Sequence, residues 1–339
     1  MKLLVSALES SANLHLKEII KDFKIDGIFD KSFGSPLYPS SDFNVMGFSD
    51  VLPKILKAKR AIKEMANLSS SCDKVLLIDS PAFNIPLAKE IKKRFPKKEI
   101  IYYILPKVWA WREKRAKKVQ KYCDKLASIF PFEDRFYEKS IYVGNPLLDE
   151  IKLFKEKISK NKKIAFLPGS RRGEIKALMP IFKEVAKEIK EEKLLVIPKH
   201  FDEKMIREFY GNIEGFTIIK DTQQALIKSD FAFICSGTAT LEAALIGTPF
   251  VLVYKAKKID YFLAKRFVKL KYAGLANIIL DFYQREPLHK ELFQEDVNKK
   301  NLLKCYENSN PLLFLEKSLE IREILSHGSR ENLIKLIKS

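Results

Sequence analysis

The sequence is short of cysteine, histidine and long apolar runs. Its four cysteines are widely spaced, no Cys-x-x-Cys occurs, and the four histidines make no ligand spacing with them. We therefore expect neither a disulfide framework nor a zinc site, and the pattern fits a reducing cytoplasm. No uninterrupted apolar stretch reaches the roughly 18 residues of a membrane-spanning helix. The apolar run at residues 3–8 is too short for a signal peptide and meets the carboxylate of Glu9.

Acidic residues are also scarce relative to basic ones, with 43 Asp and Glu against 62 Lys and Arg and a net charge of +19. Such a charge favours an anionic partner: nucleic acid, an anionic membrane surface or a phosphorylated substrate. A basic proteome with lysine-rich solvated helix faces explains it equally well. The sequence has no zinc finger or RNP-type run, and its aromatic residues do not interleave the basic runs, so we do not expect nucleic-acid binding.

Short apolar runs alternate with longer amphipathic ones along the 339 residues, a length that suits two domains of roughly 150 residues. In the first half this pattern predicts strands separated by helices, hence a parallel sheet covered on both faces. The predicted strands are residues 3–8, Lys74–Ile78 and 100–104, and the predicted helices are residues 14–23, 51–65, 85–95 and Lys114–Tyr122.

A lysine-rich stretch at residues 152–163 marks the expected domain boundary, and the βα pattern then restarts. We predict two Rossmann-like, doubly wound α/β domains facing a cleft, residues 1–155 and 156–317, with a helical tail at about 318–339 that can pack back on the first. The predicted second-half strands are Lys163–Leu167, 194–198, Phe216–Ile219, Phe231–Cys235 and 249–254, and the helices are residues 175–190, 222–229 and 238–245.

Two glycine loops follow strands of the second half. One is Pro168-Gly169-Ser170-Arg171-Arg172-Gly173-Glu174, and the other is Ser236-Gly237-Thr238-Ala239-Thr240 at a helix start. Gly169 and Gly173 permit close backbone approach, hydroxyls and helix N-termini donate to anions, and Arg171 adds positive charge. We place Glu242 in the first helical turn, where it accepts from ribose hydroxyls or complements the macrodipole. A plain turn with an N-cap cluster is the alternative, but two such loops on one sheet favour a nucleotide-sugar diphosphate site.

Together with Val108-Trp109-Ala110-Trp111-Arg112, these loops resemble the lipid-A-disaccharide synthases, inverting glycosyltransferases of the two-Rossmann (GT-B) type. The resemblance extends from Leu3 to about Gln294. Its other specific pieces are Phe130-Pro131-Phe132-Glu133 and Leu263-Ala264-Lys265-Arg266 followed by Asn277. What the resemblance implies is transfer of 2,3-diacylglucosamine from UDP to the 6-hydroxyl of 2,3-diacylglucosamine 1-phosphate, which forms a β-1,6 disaccharide and releases UDP.

The resemblance also implies roles for individual residues. Asp79 follows a predicted strand and matches an essential carboxylate, which makes it the candidate general base; capping of the next helix is its alternative. Glu9 is the second candidate catalytic carboxylate. The implied UDP-sugar contacts are Gly169, Ser170, Arg171, Ser236, Gly237, Thr238, Ala239, Thr240, Glu242, Asn277 and Gln294, of which the last two are otherwise surface or capping residues. The implied acceptor or cleft residues are Ser11, Asn13, Trp109, Trp111, Arg112 and Asn145.

Four places in the first half depart from the family pattern. Relatives usually carry Gly-Glu-Thr-Ser-Gly-Asp in the first loop, where this chain has Leu8-Glu9-Ser10-Ser11-Ala12-Asn13. Loss of glycine restricts backbone approach to a sugar, and Asn13 cannot act as a base. The other departures are Ala82, Leu105-Pro106-Lys107 and Gly144-Asn145-Pro146. The donor chemistry is therefore better supported than the acceptor, and an acyl-glucosamine of altered linkage chemistry is one hypothesis.

No carboxylate cluster in the sequence resembles a metal site, so we expect neither a metal nor a cofactor. Arg171 and the loop donors are then expected to stabilise the leaving diphosphate, and activity should persist in the presence of a chelator. Basic amphipathic segments at residues 46–63, after Trp111 and at 261–272 predict a cytoplasmic enzyme bound peripherally to the anionic inner leaflet. Packing of the first segment on the sheet is the alternative, and a homodimer is compatible with the sequence.

Three alternative functions stay open. One is another UDP-sugar enzyme of the same build, such as the peptidoglycan-precursor glucosaminyltransferase or a UDP-sugar epimerase, against which the two aromatic motifs argue. The others are a basic nucleic-acid-binding protein and a sugar-nucleotide binder without activity.

Overall fold

A computed structural model describes residues 1–43, 51–158, 160–255 and 270–339, with side chains from residue 55 onward in the second range. The chain divides into two compact units. Unit 1 comprises Met1–Asp149 with Ser326–Ser339, and unit 2 comprises Glu150–Leu325. Each is an α/β unit built on a parallel sheet, which confirms the predicted fold class. Among the described helices, none has the length and apolar character that crossing a membrane requires.

The described part of unit 1 contains a seven-stranded parallel sheet in the order β3-β2-β1-β4-β5-β6-β7. Its strands are β1 Lys2–Ala7, β2 Lys24–Phe29, β3 Tyr38–Pro39, β4 Lys74–Ile78, β5 Ile100–Tyr103, β6 Lys125–Ser128 and β7 Ser140–Tyr142. Its α-helices are α1 Ser10–Ile19, α2 Val51–Leu68, α3 Pro81–Arg94, α4 Lys114–Tyr122 and α5 Pro146–Glu150, which ends at the unit boundary, and the C-terminal Ser329–Lys338. A 3-10 turn at Pro131–Arg135 follows β6.

The described part of unit 2 contains a six-stranded parallel sheet in the order β10-β9-β8-β11-β12-β13. Its strands are β8 Lys163–Leu167, β9 Glu192–Val196, β10 Phe216–Ile219, β11 Phe231–Cys235, β12 Phe250–Tyr254 and β13 Lys290–Phe293. Its helices are α6 Arg172–Glu188, α7 Glu203–Tyr210, α8 Thr222–Lys228, α9 Thr238–Ile246, α10 Leu275–Phe282, α11 Lys299–Glu307 and α12 Pro311–Ile324, so that Ser329–Lys338 of unit 1 is α13.

Both faces of each sheet are buried, as the continuous apolar strands predict. On β1, Leu3 and Val5 pack on one face with Leu16 of α1, whereas Leu4 packs on the other with Met65 of α2. The strands therefore lie at the centre of each unit, and only the loops at their ends are left to contact a ligand.

Several helices begin earlier than predicted. Helix α1 begins at Ser10 rather than residue 14, α3 at Pro81 rather than 85, and α6 at Arg172 rather than 175. Apart from Phe83 of α3, their first turns hold small, polar or proline residues, which give no apolar periodicity but suit helix N-termini. The loops after β1, β4 and β8 are consequently short, and Ser11 lies inside α1.

Candidate active site

The strand order gives each sheet one topological switch point, between β1 and β4 in unit 1 and between β8 and β11 in unit 2. Ligands of open parallel sheets bind outside the carboxyl ends of the strands at such a point. The predicted residues follow these four strands: Glu9 follows β1, Asp79 follows β4, Gly169 follows β8 and Ser236 follows β11. The topology therefore places these four residues where each sheet is expected to bind a ligand.

Asp79 lies in a strained turn. Its φ is +50° and that of Ser80 is +44°, so two successive non-glycine residues adopt the left-handed conformation, which costs roughly 1–2 kcal/mol for each. The turn is held from the neighbouring strand: the N–H of Asp79 donates to the carbonyl of Tyr103 (3.0 Å), and the Tyr102 hydroxyl donates to the carbonyl of Asp79 (2.6 Å). Strain of this kind is maintained where the surrounding structure fixes a functional side chain.

A buried polar pair supports the same turn. The Asn84 amide of α3 donates to the carbonyls of Ile78 (3.2 Å) and Asp79 (2.8 Å), and its oxygen accepts from the Ser6 hydroxyl (2.6 Å). Asn84 is fully buried, so these bonds are shielded from water. Ser6 belongs to β1, and the pair therefore joins β1 to the turn after β4.

The two candidate carboxylates lie close together. The Ser80 hydroxyl donates to Oε1 of Glu9 at 3.4 Å. Burial, and then the negative charge of Glu9, raises the pKa of Asp79, whereas the positive charge of Lys107 and the N–H of Ser80 oppose that rise. A carboxylate with a raised pKa holds a proton better and is suited to general-base catalysis. The Ser80 side chain makes no capping hydrogen bond to α3, whereas the Asp79 carboxylate accepts from the N–H of Ser80, so the capping alternative for Asp79 stays open.

Asn13 has a structural role instead of the predicted contact with the acceptor. Its amide donates to the carbonyls of Ala7 and Glu9 (both 2.9 Å), and its oxygen accepts from the N–H of Asp30 (2.7 Å). The side chain is buried, and it fixes the loop that carries Glu9. Ser11, two residues earlier in α1, is exposed.

The tryptophan run and the Phe-Pro-Phe-Glu run form one packed cluster. Trp109 is buried, its Nε1–H donates to Oε1 of Glu133 (3.2 Å), and its ring meets those of Phe130 and Phe132 edge-on at 6.2 and 5.6 Å. Burial raises the pKa of Glu133 to about 7. Trp109 is thus a core residue, which corrects its assignment to the cleft, and this contact explains why the two motifs occur together. Trp111 is 45 % exposed.

Asn145 is likewise buried. Its amide donates to the carbonyl of Ile129 (3.0 Å), its oxygen accepts from the N–H of Leu147 (3.1 Å), and its own N–H donates to the carbonyl of Ser326 (3.0 Å). These bonds tie the start of α5 to β6 and to the returning C-terminal segment. The structure therefore gives Asn145 a framework role, whereas the resemblance implied a contact with the acceptor or the cleft.

In unit 2, Gly169 is required by its conformation. Its φ is +97°, and a Cβ there would lie 2.6 Å from Oε2 of Glu174 and 3.2 Å from Sγ of Cys235. Gly173 differs, because its φ is ordinary and a Cβ would meet no atom within 4 Å. Gly169 therefore has a conformational requirement that Gly173 lacks, and close backbone approach to a ligand stays a prediction for both.

Arg171 precedes helix α6, and its Nη1 donates to Oε1 of Glu174 at 2.7 Å. The Arg171 side chain is 81 % exposed. Surface pairs of this kind contribute about 0–1 kcal/mol, so an anion can compete for the guanidinium. Ser170 beside it is exposed.

The second loop of unit 2 offers fewer hydroxyl donors than predicted. Thr240 is buried and its hydroxyl donates to the carbonyl of Gly237 (2.7 Å), which leaves Ser236 and Thr238 as the hydroxyls at the loop surface. Ala239 is half-buried behind them. Because α9 begins at Thr238, its first N–H groups lack partners within the helix and point towards the loop.

Glu242 is the fifth residue of α9 and lies in its second turn, so the prediction of the first turn is wrong. Burial raises its pKa to about 7, and the charges of Glu150 and Asp221 act in the same direction. The favourable interaction of a carboxylate with the helix dipole falls off within the first turn, so the macrodipole does not explain a carboxyl group in the second turn. The Glu242 side chain is partly buried.

Asn277 is also a framework residue. It is fully buried, its oxygen accepts from the N–H groups of Leu288 (2.8 Å) and His289 (3.2 Å), and its amide donates to the His289 carbonyl (3.0 Å) and to Glu291 (2.9 Å). All of its hydrogen-bonding capacity is used, so its predicted contact with uridine or sugar does not fit this conformation. Gln294 follows β13 at the carboxyl edge of the sheet and is half-buried.

Some predicted segments lie outside the described residues. They are Leu263-Ala264-Lys265-Arg266, most of the amphipathic segment at 261–272, and the first part of the segment at 46–63. Within the described ranges, no group of three or more His, Cys, Asp or Glu side chains could hold a metal ion.

Sequence reasoning missed three residues that act on the turn of Asp79: Lys107, Ser6 and Asn84. Lys107 had been noted only as a departure from the family pattern. Ser6 and Asn84 are 78 positions apart, and neither belongs to a motif. A polar residue inside an otherwise buried strand was the available signal for Ser6.

Comparisons with known proteins show the family and the fold of the chain. A family model described as lipid-A-disaccharide synthetase matches residues 3–333. The chain is 52 % identical to lipid-A-disaccharide synthase of Campylobacter jejuni (strain RM1221), with 98 % of each chain covered. It is 46 % identical to that of Helicobacter acinonychis (strain Sheeba), with 98 % and 96 % covered. The crystal structure of Acinetobacter baumannii MurG superposes with a TM-score of 0.59 at 14 % identity over 99 % and 98 % of the two chains, a likeness of fold alone.

Proposed function

The chain belongs to the lipid-A-disaccharide synthase family, and we propose that it transfers 2,3-diacylglucosamine from UDP to the 6-hydroxyl of 2,3-diacylglucosamine 1-phosphate. The match over nearly the whole chain makes it a hexosyltransferase that uses a UDP-sugar and a lipid acceptor. The observation that carries the mechanism is Asp79, held in a strained turn beside Glu9 at the switch point of unit 1.

In the proposed reaction, the Asp79 carboxylate takes the proton of the acceptor 6-hydroxyl. The oxygen attacks the anomeric carbon of the donor, the C1–O6 bond forms, and the bond from C1 to the diphosphate oxygen breaks. UDP leaves with the bonding pair, and attack from the opposite face inverts the anomeric centre. A positioned general base contributes about 10²- to 10⁴-fold to such a step. Glu9 supports Asp79 because its charge raises the pKa of that group.

Unit 2 supplies the donor site in this proposal. Gly169 and Gly237 let the backbone approach the diphosphate, Ser170, Ser236 and Thr238 donate to it, and Arg171 offsets its charge. Glu242 accepts from the ribose hydroxyls. Because these groups and the helix N-termini stabilise the leaving diphosphate, turnover should persist in EDTA. A loss of turnover that magnesium restores would contradict this part of the proposal.

We also propose peripheral contact with an anionic membrane surface through helix α2. Its Ala61 and Met65 are buried against the sheet, but Ile55 and Leu56 are 45 % and 62 % exposed beside the exposed Lys59. An apolar edge flanked by basic residues is typical of interfacial helices. Sedimentation with anionic vesicles at low salt should remove the protein from solution, and Leu56→Glu should weaken that binding. Equal recovery of both proteins in the supernatant would overturn this assignment.

The reaction itself is tested by incubating the protein with UDP-2,3-diacylglucosamine and 2,3-diacylglucosamine 1-phosphate and determining the mass of the lipid product. We expect a disaccharide 1-phosphate and one UDP for each disaccharide, and neither from a mixture that lacks the acceptor. A sugar nucleotide isomer or free monosaccharide as the only product would reject transfer between the two lipids.

A further inference from the structure

Two arginines lie on the ring of one exposed tryptophan just beyond β5. Cζ of Arg112 is 4.3 Å from the centroid of the Trp111 ring, and Cζ of Arg115 is 5.3 Å from it. Each contact is favourable by about 0.5–1 kcal/mol at an exposed site. Together, however, they bring two positive charges onto one ring, and their repulsion opposes this arrangement.

No carboxylate offsets that repulsion in the described part of the chain. Burial lowers the pKa of Arg115, and the positive charge of Arg112 lowers it further. The phenol groups of Tyr102 and Tyr137 raise this pKa. Six other arginines of the described residues do form ion pairs with acidic residues, although Arg322, which lies on the Phe154 ring, has none there either. The six are Arg60, Arg94, Arg171, Arg172, Arg207 and Arg330. Within the described residues, neither Arg112 nor Arg115 has such a partner.

The backbone holds the pair in place. Arg112 has a φ of +54°, a left-handed conformation that is unfavourable for a non-glycine residue. Its carbonyl accepts the N–H of Arg115 at 2.9 Å. Two residues before Trp111, Trp109 is fixed by its bond to Glu133. Strain that is maintained in a fixed loop, with like charges left together, is typical of a preorganised site.

The pair lies in the segment that follows β5, the strand next to the one that precedes the turn of the proposed base. The charge of Arg115 acts on Tyr102, and the Tyr102 hydroxyl donates to the carbonyl of Asp79 at 2.6 Å. Strands β4 and β5 are neighbours, with Ile78 opposite Tyr103. The arginine pair and Asp79 therefore follow neighbouring strands at the same edge of one sheet.

We propose that Arg112 and Arg115 bind the phosphate monoester of the acceptor and so select a phosphorylated acceptor sugar over its unphosphorylated counterpart. A phosphate monoester carries a charge of about −1.5 to −2 near neutral pH, which offsets both guanidinium charges at once. A guanidinium group binds phosphate through paired hydrogen bonds, and the Trp111 ring orients the guanidinium groups of Arg112 and Arg115. This inference deepens the proposed function and depends on it for the identity of the sugar.

Binding can be measured without turnover. Trp111 is exposed and Trp109 is buried, so titration of the full-length protein with glucosamine 1-phosphate should change the tryptophan fluorescence mainly through Trp111. We expect a saturable, salt-sensitive change with glucosamine 1-phosphate, a weaker one with inorganic phosphate and none with glucosamine. The change should disappear in Arg112→Gln/Arg115→Gln and persist in Lys89→Gln/Lys93→Gln, which loses the same charge from the distant end of α3. Equal responses in the two double variants would overturn the proposal.

Turnover gives a second, separate readout. With the phosphorylated acceptor, the arginine double variant should raise the acceptor KM about ten- to a hundredfold and leave the donor KM unchanged, as expected for lost charge-assisted hydrogen bonds. With the unphosphorylated acceptor, wild type and variant should be equally slow. Arg112→Lys/Arg115→Lys should recover part of the loss, and matching unfolding curves would exclude a folding defect.

The outcomes separate this inference from the proposed function. Transfer that is indifferent to the acceptor phosphate in wild type rejects the phosphate site and leaves the transferase intact. Saturable binding of glucosamine 1-phosphate that requires both arginines, without any transfer, supports the site and rejects the proposed function.

Discussion

The loops at the two topological switch points contain different kinds of residue. In unit 2 the loops after β8 and β11 offer glycine, backbone N–H groups and exposed hydroxyls around one arginine. In unit 1 the turns after β1 and β4 carry two carboxylates, with Lys107 beside them and a buried side-chain network below. The first arrangement suits recognition of a diphosphate, and the second suits the movement of a proton. Two units of similar fold can therefore divide binding and chemistry between them.

The largest effect is expected from replacing Asp79, the candidate general base of unit 1. Asp79→Asn keeps the size of the side chain and its strained turn but cannot accept a proton, so kcat should fall about 10²- to 10⁴-fold. The KM for the UDP-sugar should stay within about twofold of wild type, since a factor of ten corresponds to roughly 1.4 kcal/mol of binding. Steady-state kinetics with both substrates varied measures this.

Asp134→Asn is the matched control for that experiment. Asp134 is an exposed carboxylate of the same unit that follows β6. Its replacement should leave kcat unchanged, and an equal loss in both variants would indicate a general effect of charge.

In unit 2 the corresponding change is Gly169→Ala. The left-handed conformation and the Cβ approach to Glu174 should together distort the loop and lower kcat/KM for the donor about tenfold. Gly173→Ala on the same loop has room for its Cβ and an ordinary φ, and should be neutral or slightly stabilising. Equal donor kinetics for the two variants would remove Gly169 from the site.

The buried carboxyl group of Glu133 in unit 1 should make the free energy of unfolding depend on pH. Its folded pKa is about 7 and its ordinary value is 4.5, so its contribution to the free energy of unfolding is fully present below pH 4.5 and is lost as pH rises through 7. The loss is on the order of 3 kcal/mol. Glu133→Gln cannot ionise. Urea unfolding should therefore show the stability of wild type falling relative to the variant between those pH values, and a constant difference would refute a buried titrating carboxyl group.

The smallest expected effect concerns Lys107. Its charge lowers the pKa of Asp79, so Lys107→Met should raise that pKa further. The base works deprotonated, and the acid limb of the kcat/KM profile should consequently move to higher pH. Lys97→Met, an exposed change before β5, should leave the profile in place. A shift of the acid limb to lower pH would contradict the assignment of Asp79 as the base.

The sequence predicted the parts of the molecule that are locally encoded. The central strands, the alternation of strands and helices and the glycine loop at Gly169 all follow from short patterns, and the structure confirms them. Strand β13 was not predicted, because Lys290–Phe293 is short and partly polar, and it becomes a strand only by pairing with β12.

Burial of polar and aromatic residues was harder to predict. Trp109, Asn145 and Asn277 belong to recognisable motifs, and all three were assigned to a ligand. Their partners are long-range: Glu133 lies 24 positions from Trp109, and His289 lies 12 from Asn277. A single sequence shows that a polar residue is present but not whether another part of the chain satisfies it. The resemblance supplied the candidate residues, and the structure was needed to show which of them are buried in the framework.

The division of labour between the units is tested most directly by measuring the donor Kd and the single-turnover rate at saturating donor in Asp79→Asn and Gly169→Ala. We predict opposite outcomes: Asp79→Asn keeps the wild-type Kd and loses the rate, whereas Gly169→Ala raises the Kd and keeps most of the rate. If both variants change Kd and rate in the same proportion, the two switch points do not have separate tasks.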